Sequence, residues 1–369
     1  MSTLRLANAL AARGWDIDFV VTTGGGELEA KLDPRIRLTQ LRSRPVGEQK
    51  AGARGLGATV GALPDAVSYV GERLREAAVT RRFRGQHFDA AIIGLQGLSG
   101  AFVCERIEAD RRLLFIRSDV GSVARDDKVA RNVEGYGDRI DAYVCVSKYA
   151  REALEKRYPG AIGKAVTIYN VLGVDDMRRQ AEGAADPFAK YGSAPKILTV
   201  CRLQEAPKGL KRMADVCRRL LDERLDFHWF VVGDGPDRAM LEAKIEDLGL
   251  QGRMILLGQQ ANPFPFYAHA DLVAALSYYE GLCGAVNEAK VMGKPVIATT
   301  FSGIAEQIED SVGGLIVQND EDAIVEGMRR LLTDSALRAT LAAGPLNPAI
   351  LDDDAKLDAL EALLLGAAA

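Results

Sequence analysis

The stretch DLVAALSYYEGLCGAVNEAKVMGKPVIATT, residues 271–300, decides the fold of this chain. It begins with a short apolar run at 271–277 and ends with another at 295–300. Between them lies a helical segment from near Cys283 to Gly293, and Pro295 prevents the helix from continuing. Continuous apolar strands on either side of a helix indicate a parallel sheet with both faces covered by helices.

The same alternation extends along the whole chain. Apolar runs predicted as strands lie at 16–22, 36–41, 88–94, 112–118, 141–147, 165–170, 195–202, 226–233, 253–258, 271–277, 295–300 and 313–317. The polar stretch 178–195 indicates a linker between two domains. We therefore predict an α/β protein with two Rossmann-like, doubly wound domains at 1–177 and 196–348, followed by a C-terminal helix segment at 349–369. Their ligand should lie in the cleft between them, at the C-terminal ends of the strands.

Composition limits the function classes. The chain has 369 residues, 48% of them hydrophobic and 27% charged, and a net charge of −4, which favours a soluble globular protein with no nucleic-acid partner. Its five cysteines show no C-x-x-C spacing, which indicates a reduced cytoplasmic protein without a zinc site. The segment 35–84 is locally basic, with eleven basic and four acidic residues. It is either a peripheral membrane contact or an ordinary solvent-exposed face.

Two carboxylates lie eight residues apart in the deciding stretch. Glu280 falls where a strand ends, Glu288 lies on the following helix, and Gly281 and Gly284 lie between them. If the helix begins near Cys283, its free N–H groups form an anion site suited to a diphosphate. The carboxylates would then lie at most ~12 Å apart and could accept hydrogen bonds from sugar hydroxyls at the two ends of a ligand. The plainer interpretation is two surface glutamates.

Further polar residues follow the neighbouring strands. Arg202 and Lys208 flank the start of the helix after the strand at 195–202, where two cations would stabilise the charge on a diphosphate leaving group. Gly235 lies in the turn VVGDGP at 231–236, and Gly258 begins a loop whose backbone groups could hold a base. This turn lacks G-x-G-x-x-G, which argues against an NAD-dependent dehydrogenase.

These motifs resemble the retaining glycosyltransferases of family 4, which have the GT-B fold. The resemblance rests on RLQEAPKG at 202–209, GDGP at 233–236, NPFP at 262–265, the Glu280/Glu288 block and G-x-x-E at 303–306. The first half matches more loosely, through FDAAIIGLQG at 88–97, VSKYAREAL at 146–154 and IYNVLG at 168–173.

The resemblance implies roles for particular residues. Arg202 and Lys208 would bind the diphosphate, Glu280 the donor sugar and Glu288 the ribose hydroxyls. The amides around Gly284 and Ala285 would contact sugar and phosphate. The first domain would take the acceptor and the second the donor.

The activity implied is transfer of a hexose-type sugar from a nucleotide-diphosphate sugar to a glycan or lipid-linked acceptor, with retention. Neither a metal nor a separate cofactor is expected. Such a hexosyltransferase of polysaccharide assembly would be cytoplasmic, or peripheral to the inner face of the membrane.

Two features depart from the family pattern. The chain opens on a helix-like segment at 3–12, so the first domain lacks the opening strand and its Gly-rich loop. Arg117 stands where similar proteins often have His, and a guanidinium is not a base. Because the first domain is incomplete, a catalytically impaired relative that binds nucleotide sugar stays open as an alternative. A nucleotide-sugar epimerase on the same two-domain architecture is a second alternative, against which the combination of RLQEAPKG with Glu280 and Glu288 argues. The D-x-D at Asp16 and Asp18 lies within a strand and is a weak metal candidate.

Overall fold

The computed structural model describes residues 2–26, 29–43, 71–72, 74–94, 100–121 and 127–366. The chain divides into two compact units. Unit 1 comprises Met1–Phe115, Asp126–Tyr143 and Leu357–Ala369, and unit 2 comprises Ile116–Arg125 and Val144–Lys356. Unit 2 includes residues on both sides of the stretch 178–195, so the domain boundaries drawn from the sequence remain a prediction.

Every apolar run predicted as a strand overlaps one. The strands are β1 Asp18–Thr23, β2 Arg37–Arg42, β3 His87–Ile93, β4 Glu108–Ile116, β5 Ala142–Cys145, β6 Ala165–Thr167, β7 Lys196–Val200, β8 His228–Val232, β9 Met254–Gly258, β10 Leu272–Ala275, β11 Val296–Thr299 and β12 Leu315–Val317. Most are shorter than the apolar run that predicts them, because residues at the ends of a run continue into the turn that follows.

Helices connect these strands. They are α1 Ser2–Ala12, α2 Gly100–Arg106, α3 Asp127–Tyr136, α4 Lys148–Arg157, α5 Val174–Ala181, α6 Glu205–Lys208, α7 Leu210–Asp222, α8 Arg238–Asp247, α9 Phe264–His269, α10 Gly284–Val291, α11 Ile304–Gln307, α12 Glu321–Thr333, α13 Ser335–Ala343, α14 Pro348–Leu351 and α15 Asp353–Leu364. Residues 71–72 and 74–80 are helical as well. The Ser147 hydroxyl caps α4 by accepting from the Ala150 amide, as its sequence position predicts.

Unit 2 contains a six-stranded sheet in the order β12-β11-β10-β7-β8-β9, and the pairs along it are parallel. Successive residues of a strand face opposite sides of the sheet, and both sides are buried. Leu198 and Val273 join the hydrophobic core on one face, whereas Ile197 and Leu272 join the core on the other. Apolar cores on both faces are the doubly wound arrangement that the continuous apolar runs predict.

The other strands form two smaller sheets. β1 and β2 are a parallel pair, and the second sheet has the order β3-β4-β5-β6. α1 precedes β1 and packs through Ala7 and Ala11 against Ile36 and Phe19. Within the described ranges β1 pairs with β2 alone and β3 with β4 alone, so each has one strand edge without a ladder partner.

The D-x-D carboxylates are engaged by one arginine. Arg37 of β2 forms ion pairs with Asp16 at 2.6 Å and with Asp18 at 2.9 Å. Their pairing gives these carboxylates a structural function in tying the start of β1 to β2.

Much of the basic segment 35–84 lies outside the described residues. At its described end, Arg81, Arg82 and Arg84 are exposed around the buried Phe83. In the described part of the chain, no helix has the length and apolar character needed to cross a membrane.

Candidate functional site

The centre of the six-stranded sheet brings Lys208 and Glu280 together. Lys208 follows β7 and Glu280 follows β10, which are neighbours in the sheet, so both lie at the same C-terminal edge. The Lys208 Nζ forms an ion pair with the Glu280 Oε1, and the Ser277 hydroxyl donates to the same oxygen at 2.7 Å. Both charged side chains are mostly buried, with 19% and 14% exposed. Both bonds involve Oε1, and among the described residues no hydrogen bond to the Glu280 Oε2 is seen, so this oxygen can accept from a ligand.

The Glu280 carboxylate stabilises the charged form of Lys208. Burial by itself lowers the pKa of Lys208, but the Glu280 carboxylate more than offsets this and holds the pKa above its ordinary value. Lys208 is therefore cationic at neutral pH. Arg202 is exposed at the same strand end, and it makes no ion pair with any residue that the structure describes. A solvent-exposed guanidinium beside a strand end suits a phosphate ligand.

Hydrogen bonds from the Gln307 side chain hold the start of α10 in place. The Gln307 side chain accepts from the Cys283 amide at 3.1 Å and donates to the Cys283 carbonyl at 2.8 Å and to Asn287 Oδ1 at 2.5 Å. The N-cap residue, Cys283, makes no side-chain cap hydrogen bond, and Gly284 is exposed. The amides of Gly284 and Ala285 thus keep the arrangement expected of an anion site.

Gly281 is required by close packing. A Cβ at this position would overlap the carbonyl oxygen of Arg117, at the end of β4, and the Gly281 carbonyl accepts from the Ser147 hydroxyl at 2.8 Å. Arg117 donates to Asn170 Oδ1, and burial lowers its pKa to about 10. It therefore remains charged near neutrality and can bind an anion but not act as a base.

The two glycines predicted to contact the nucleotide also support the turns around them. A Cβ at Gly235 would overlap the Leu203 carbonyl, which brings the turn after β8 against the end of β7. Gly258 has φ +71°, a left-handed conformation that favours glycine, and its carbonyl accepts from Gly233 at 2.8 Å. Their contacts with a ligand remain a prediction.

Glu288 has a partner that sequence reasoning missed. The hydroxyl of Tyr267, on α9, donates to Glu288 Oε2 at 3.0 Å. Tyr267 is completely buried, whereas Glu288 is half-buried. Tyr267 follows the NPFP motif by two residues, but the motif gives no indication that the Tyr267 hydroxyl reaches Glu288 on α10.

Glu306 has a structural function. Its carboxylate accepts from the amides of Lys148 and Tyr149, at 2.8 Å each, and from the Tyr169 hydroxyl at 3.0 Å. It thus neutralises the N-terminal end of α4. The G-x-x-E motif is therefore a packing motif here, in which the carboxylate is engaged by the protein itself.

A small pocket lies beside the Lys208–Glu280 pair at the sheet edge. It is lined by Thr199, Val200, Cys201, Lys208, Met213, Ala274, Ala275, Leu276, Ser277, Cys283 and Ala285. Sequence reasoning identified Lys208 and Ala285 among these, and it missed Ser277, whose only signal is its position three residues before Glu280.

The second half of the chain is similar in sequence to known glycosyltransferases. Residues 194–334 match the family model of glycosyl transferases group 1, a range that holds all the predicted site residues. The chain is 29% identical over 150 residues to the lipopolysaccharide core biosynthesis glycosyltransferase LpsE of Rhizobium meliloti (strain 1021), covering 40% of this chain and 43% of the relative.

A second relative covers more of the chain. This is the N-acetylgalactosamine-N,N'-diacetylbacillosaminyl-diphospho-undecaprenol 4-alpha-N-acetylgalactosaminyltransferase of Campylobacter jejuni, 27% identical over 202 residues, with 54% of this chain and 53% of the relative covered. The chain thus spans about half the length of the curated relatives it matches.

Among solved structures, Anabaena Alr3699/HepE in complex with UDP and glucose has a TM-score of 0.70 at 17% identity, covering 100% of this chain and 95% of that one. A likeness at this identity defines the fold. The predicted α/β fold of the GT-B class is confirmed.

Proposed function

We propose that this chain is a glycosyltransferase that uses a nucleotide-diphosphate sugar as donor. The observation that carries the proposal is the juxtaposition of the Lys208–Glu280 pair with the uncapped start of α10 at one edge of the sheet. The helix amides and the cations Arg202 and Lys208 would hold the diphosphate and stabilise its charge as the glycosidic bond breaks. Glu280 Oε2 would accept from a sugar hydroxyl.

The finer features of the reaction follow from the resemblance to family 4. We propose a hexose-type sugar and retention of anomeric configuration, with a glycan or lipid-linked acceptor. The names of the R. meliloti and C. jejuni relatives, which concern lipopolysaccharide core and a diphospho-undecaprenol acceptor, support this acceptor class. Gly281, Gly284 and Ala285 would contact sugar and phosphate, and Glu288, Gly235 and Gly258 the nucleoside.

The test begins with donor binding. Thermal unfolding is measured with UDP, GDP and ADP and with their common sugar conjugates, for the wild type and for Arg202→Ala. A nucleotide present at ~100 times its dissociation constant should add about 2.7 kcal/mol of stability to the wild type. Arg202→Ala should lose most of this shift, because a cation that contacts phosphate is removed.

A matched control separates this effect from the loss of any positive charge. Arg330 is exposed near the end of α12, and a helix that follows a parallel strand returns toward the opposite edge of the sheet. Arg330→Ala should therefore keep the full nucleotide shift. If no nucleotide shifts the wild type, or if both variants respond alike, the proposed donor site is wrong.

Turnover distinguishes the enzyme from its alternatives. Release of nucleoside diphosphate only when an acceptor is added supports a transferase. Conversion of the donor without acceptor would indicate an epimerase, and binding without any turnover would indicate a catalytically impaired relative. Nuclear magnetic resonance of the product's anomeric proton reports whether configuration is retained.

We further propose that the protein is cytoplasmic and that the segment 35–84 contacts the inner face of the membrane. The exposed arginines Arg81, Arg82 and Arg84 support this, since basic residues are attracted to anionic lipid. Arg81→Glu with Arg82→Glu should reduce cosedimentation with phosphatidylglycerol vesicles, while neither protein should bind phosphatidylcholine vesicles. Equal binding of both proteins to the anionic vesicles would contradict this.

A further inference from the structure

The loop 276–280 follows β10 and includes both Ser277 and Glu280 of the candidate site. Three successive backbone carbonyls of this loop each accept a hydrogen bond from a side chain of another element. The three bonds run from Arg212 to the Leu276 carbonyl, from Thr299 to the Ser277 carbonyl at 2.6 Å and from Asn319 to the Tyr278 carbonyl at 3.1 Å. The backbone that leads to Glu280 is therefore held by the protein itself, without a ligand.

Arg212, in the first turn of α7, makes several contacts in this region. It is 4% exposed, and besides the Leu276 carbonyl it donates to Asn319 Oδ1. Its guanidinium carbon lies 4.1 Å from the centroid of the Tyr278 ring. A guanidinium can make divergent hydrogen bonds and stack on a ring at the same time, which the single nitrogen of a lysine cannot do.

The same guanidinium lies against the turn that precedes α7. A Cβ at Gly209 would lie 3.3 Å from Nε and from Nη2 of Arg212. Gly209 has φ +61°, a left-handed conformation that favours glycine, and it directly follows Lys208. Arg212 therefore contacts both of the segments that hold the ion pair, the turn after Lys208 and the loop that ends at Glu280.

We propose that Arg212 is a positioning residue that holds the loop 276–280 and so keeps the Lys208–Glu280 pair assembled for the reaction. This inference rests on the proposed function and extends it to a residue outside the motifs that carry the family resemblance. From the first turn of α7 the pocket is lined by Met213, so Arg212 would act through the backbone and not by contact with a ligand.

The first test measures assembly of the pair in the ligand-free protein. A trace of acetic anhydride is added at pH 9, and mass spectrometry gives the acetylation rate of Lys208 relative to that of Lys244, on α8. Only an uncharged amine reacts, and the Glu280 carboxylate keeps Lys208 charged. Arg212→Lys should raise the relative rate about fivefold or more, because a lysine cannot make the divergent bonds of the guanidinium.

Arg338→Lys is the matched control. Arg338 is a half-buried arginine on α13, and its Nη1 donates to the carbonyls of Leu331 at 2.5 Å and Leu332 at 3.2 Å. The loss of these bonds should leave the relative rate of Lys208 as it is in the wild type. In a Glu280→Gln background, Arg212→Lys should cause no further rise, because the partner that it positions is gone.

Tyr278 offers a way to loosen the loop without a buried substitution. Its ring is 40% exposed, so its removal should leave the protein folded. Tyr278→Ala removes the ring that covers Arg212 and should raise the relative rate of Lys208 about threefold. Tyr278→Phe keeps the ring and should react like the wild type. If Arg212→Lys does not fold, this pair of variants decides.

The second test measures turnover with the donor that stabilises the wild type. Arg212→Lys should lower kcat about tenfold and change KM for the donor less than about threefold, since displacing Lys208 and Glu280 affects the reacting centre more than the grip on the nucleotide. Arg338→Lys should keep both constants of the wild type.

The outcomes separate this inference from the proposed function. An unchanged rate of Lys208 acetylation in both Arg212→Lys and Tyr278→Ala would overturn the positioning role. An equal rise in Arg338→Lys, a further rise in the Glu280→Gln background or an unchanged kcat in Arg212→Lys would overturn it as well. The acetylation needs no nucleotide, so the proposed function fails separately, when no nucleotide stabilises the wild type.

Discussion

Lys208 is mostly buried and Lys290 is buried in unit 2, and their surroundings give these two lysines opposite properties. Lys208 lies against Glu280, which holds its pKa above the ordinary value despite burial. Lys290 is 8% exposed, and its Nζ donates to the carbonyls of Leu341, at 2.5 Å, and Ala342. Burial lowers the pKa of Lys290 to about 8. One cation is thus stabilised by a carboxylate and the other by helix-end carbonyls alone.

Lys208→Ala should lower the free energy of unfolding by about 2–3 kcal/mol, because it leaves the mostly buried Glu280 without its counter-ion. Chemical denaturation of the ligand-free protein measures this. Lys244→Ala is the control, since the Lys244–Asp215 pair at 2.7 Å is more exposed, at 29% and 32%. It should cost less than about 1 kcal/mol. Equal losses in the two variants would show that the Lys208–Glu280 pair contributes no more to the free energy of unfolding than the exposed pair does.

Lys290 should make stability depend on pH. Between pH 8 and 10.5 the unfolded chain holds a proton that the folded chain has lost, so stability rises with pH in this window. Below pH 8 both states are protonated, and the folded state bears the full penalty of a buried charge. The stability of the wild type relative to Lys290→Met should therefore rise by about 2 kcal/mol between pH 7 and 9.5. A difference that is flat across this range contradicts the lowered pKa.

At the scale of elements, α4 and α11 are joined by one carboxylate. Glu306 of α11 accepts from the first two amides of α4 and from the Tyr169 hydroxyl. Burial is the main cause that raises the pKa of Tyr169 above its ordinary value, and the hydrogen bond to Glu306 raises it further. The phenol therefore stays protonated and keeps donating throughout the neutral range.

Glu306→Ala should lower the free energy of unfolding by about 2–3 kcal/mol, because the buried Tyr169 and the first two amides of α4 lose a charged acceptor and the start of α4 loses a favourable charge. Denaturant titration measures the change. Glu309→Ala, at an exposed position three residues later, should stay within about 0.5 kcal/mol of the wild type. If the two substitutions cost the same, Glu306 does not tie the helices together.

The elements were predictable where one local rule applies, as for the strands from apolar runs and the end of α10 from Gly293 and Pro295. The Lys208–Glu280 contact was predictable in part, because neighbouring parallel strands end at one edge. The Tyr267–Glu288 bond and the Gln307 clamp on Cys283 were not. Each of these contacts depends on the direction in which a side chain leaves one helix toward another helix more than twenty residues away in the sequence. Hydrophobic periodicity does not predict that direction. Gly281 was singled out as a ligand contact, whereas its packing against Arg117 became visible only in the fold.

For the molecule as a whole, the three sheets should differ in local stability. β7 and β10 have strands on both sides, whereas β1 pairs with β2 alone among the described residues. A strand with one neighbour has about half of its amides in a ladder. We expect peptides that cover β1 to exchange amide hydrogen at least 100-fold faster than peptides that cover β7, measured by mass spectrometry. Equal protection would mean that the free edge of β1 is covered.

The Lys208–Glu280 pair also bears on how a charged ligand arrives. Since the two opposite charges offset each other at a distance, the pair adds little to the attraction of a distant anion, whereas the exposed Arg202 adds to it. Added salt should therefore slow association only slightly, as for an encounter guided by a single charge. Under the proposed function, the diphosphate ligand would gain most of its binding free energy after contact, when it competes with Glu280 for Lys208. Selection between ligands would then be made in the dissociation rate, by residence time in the site.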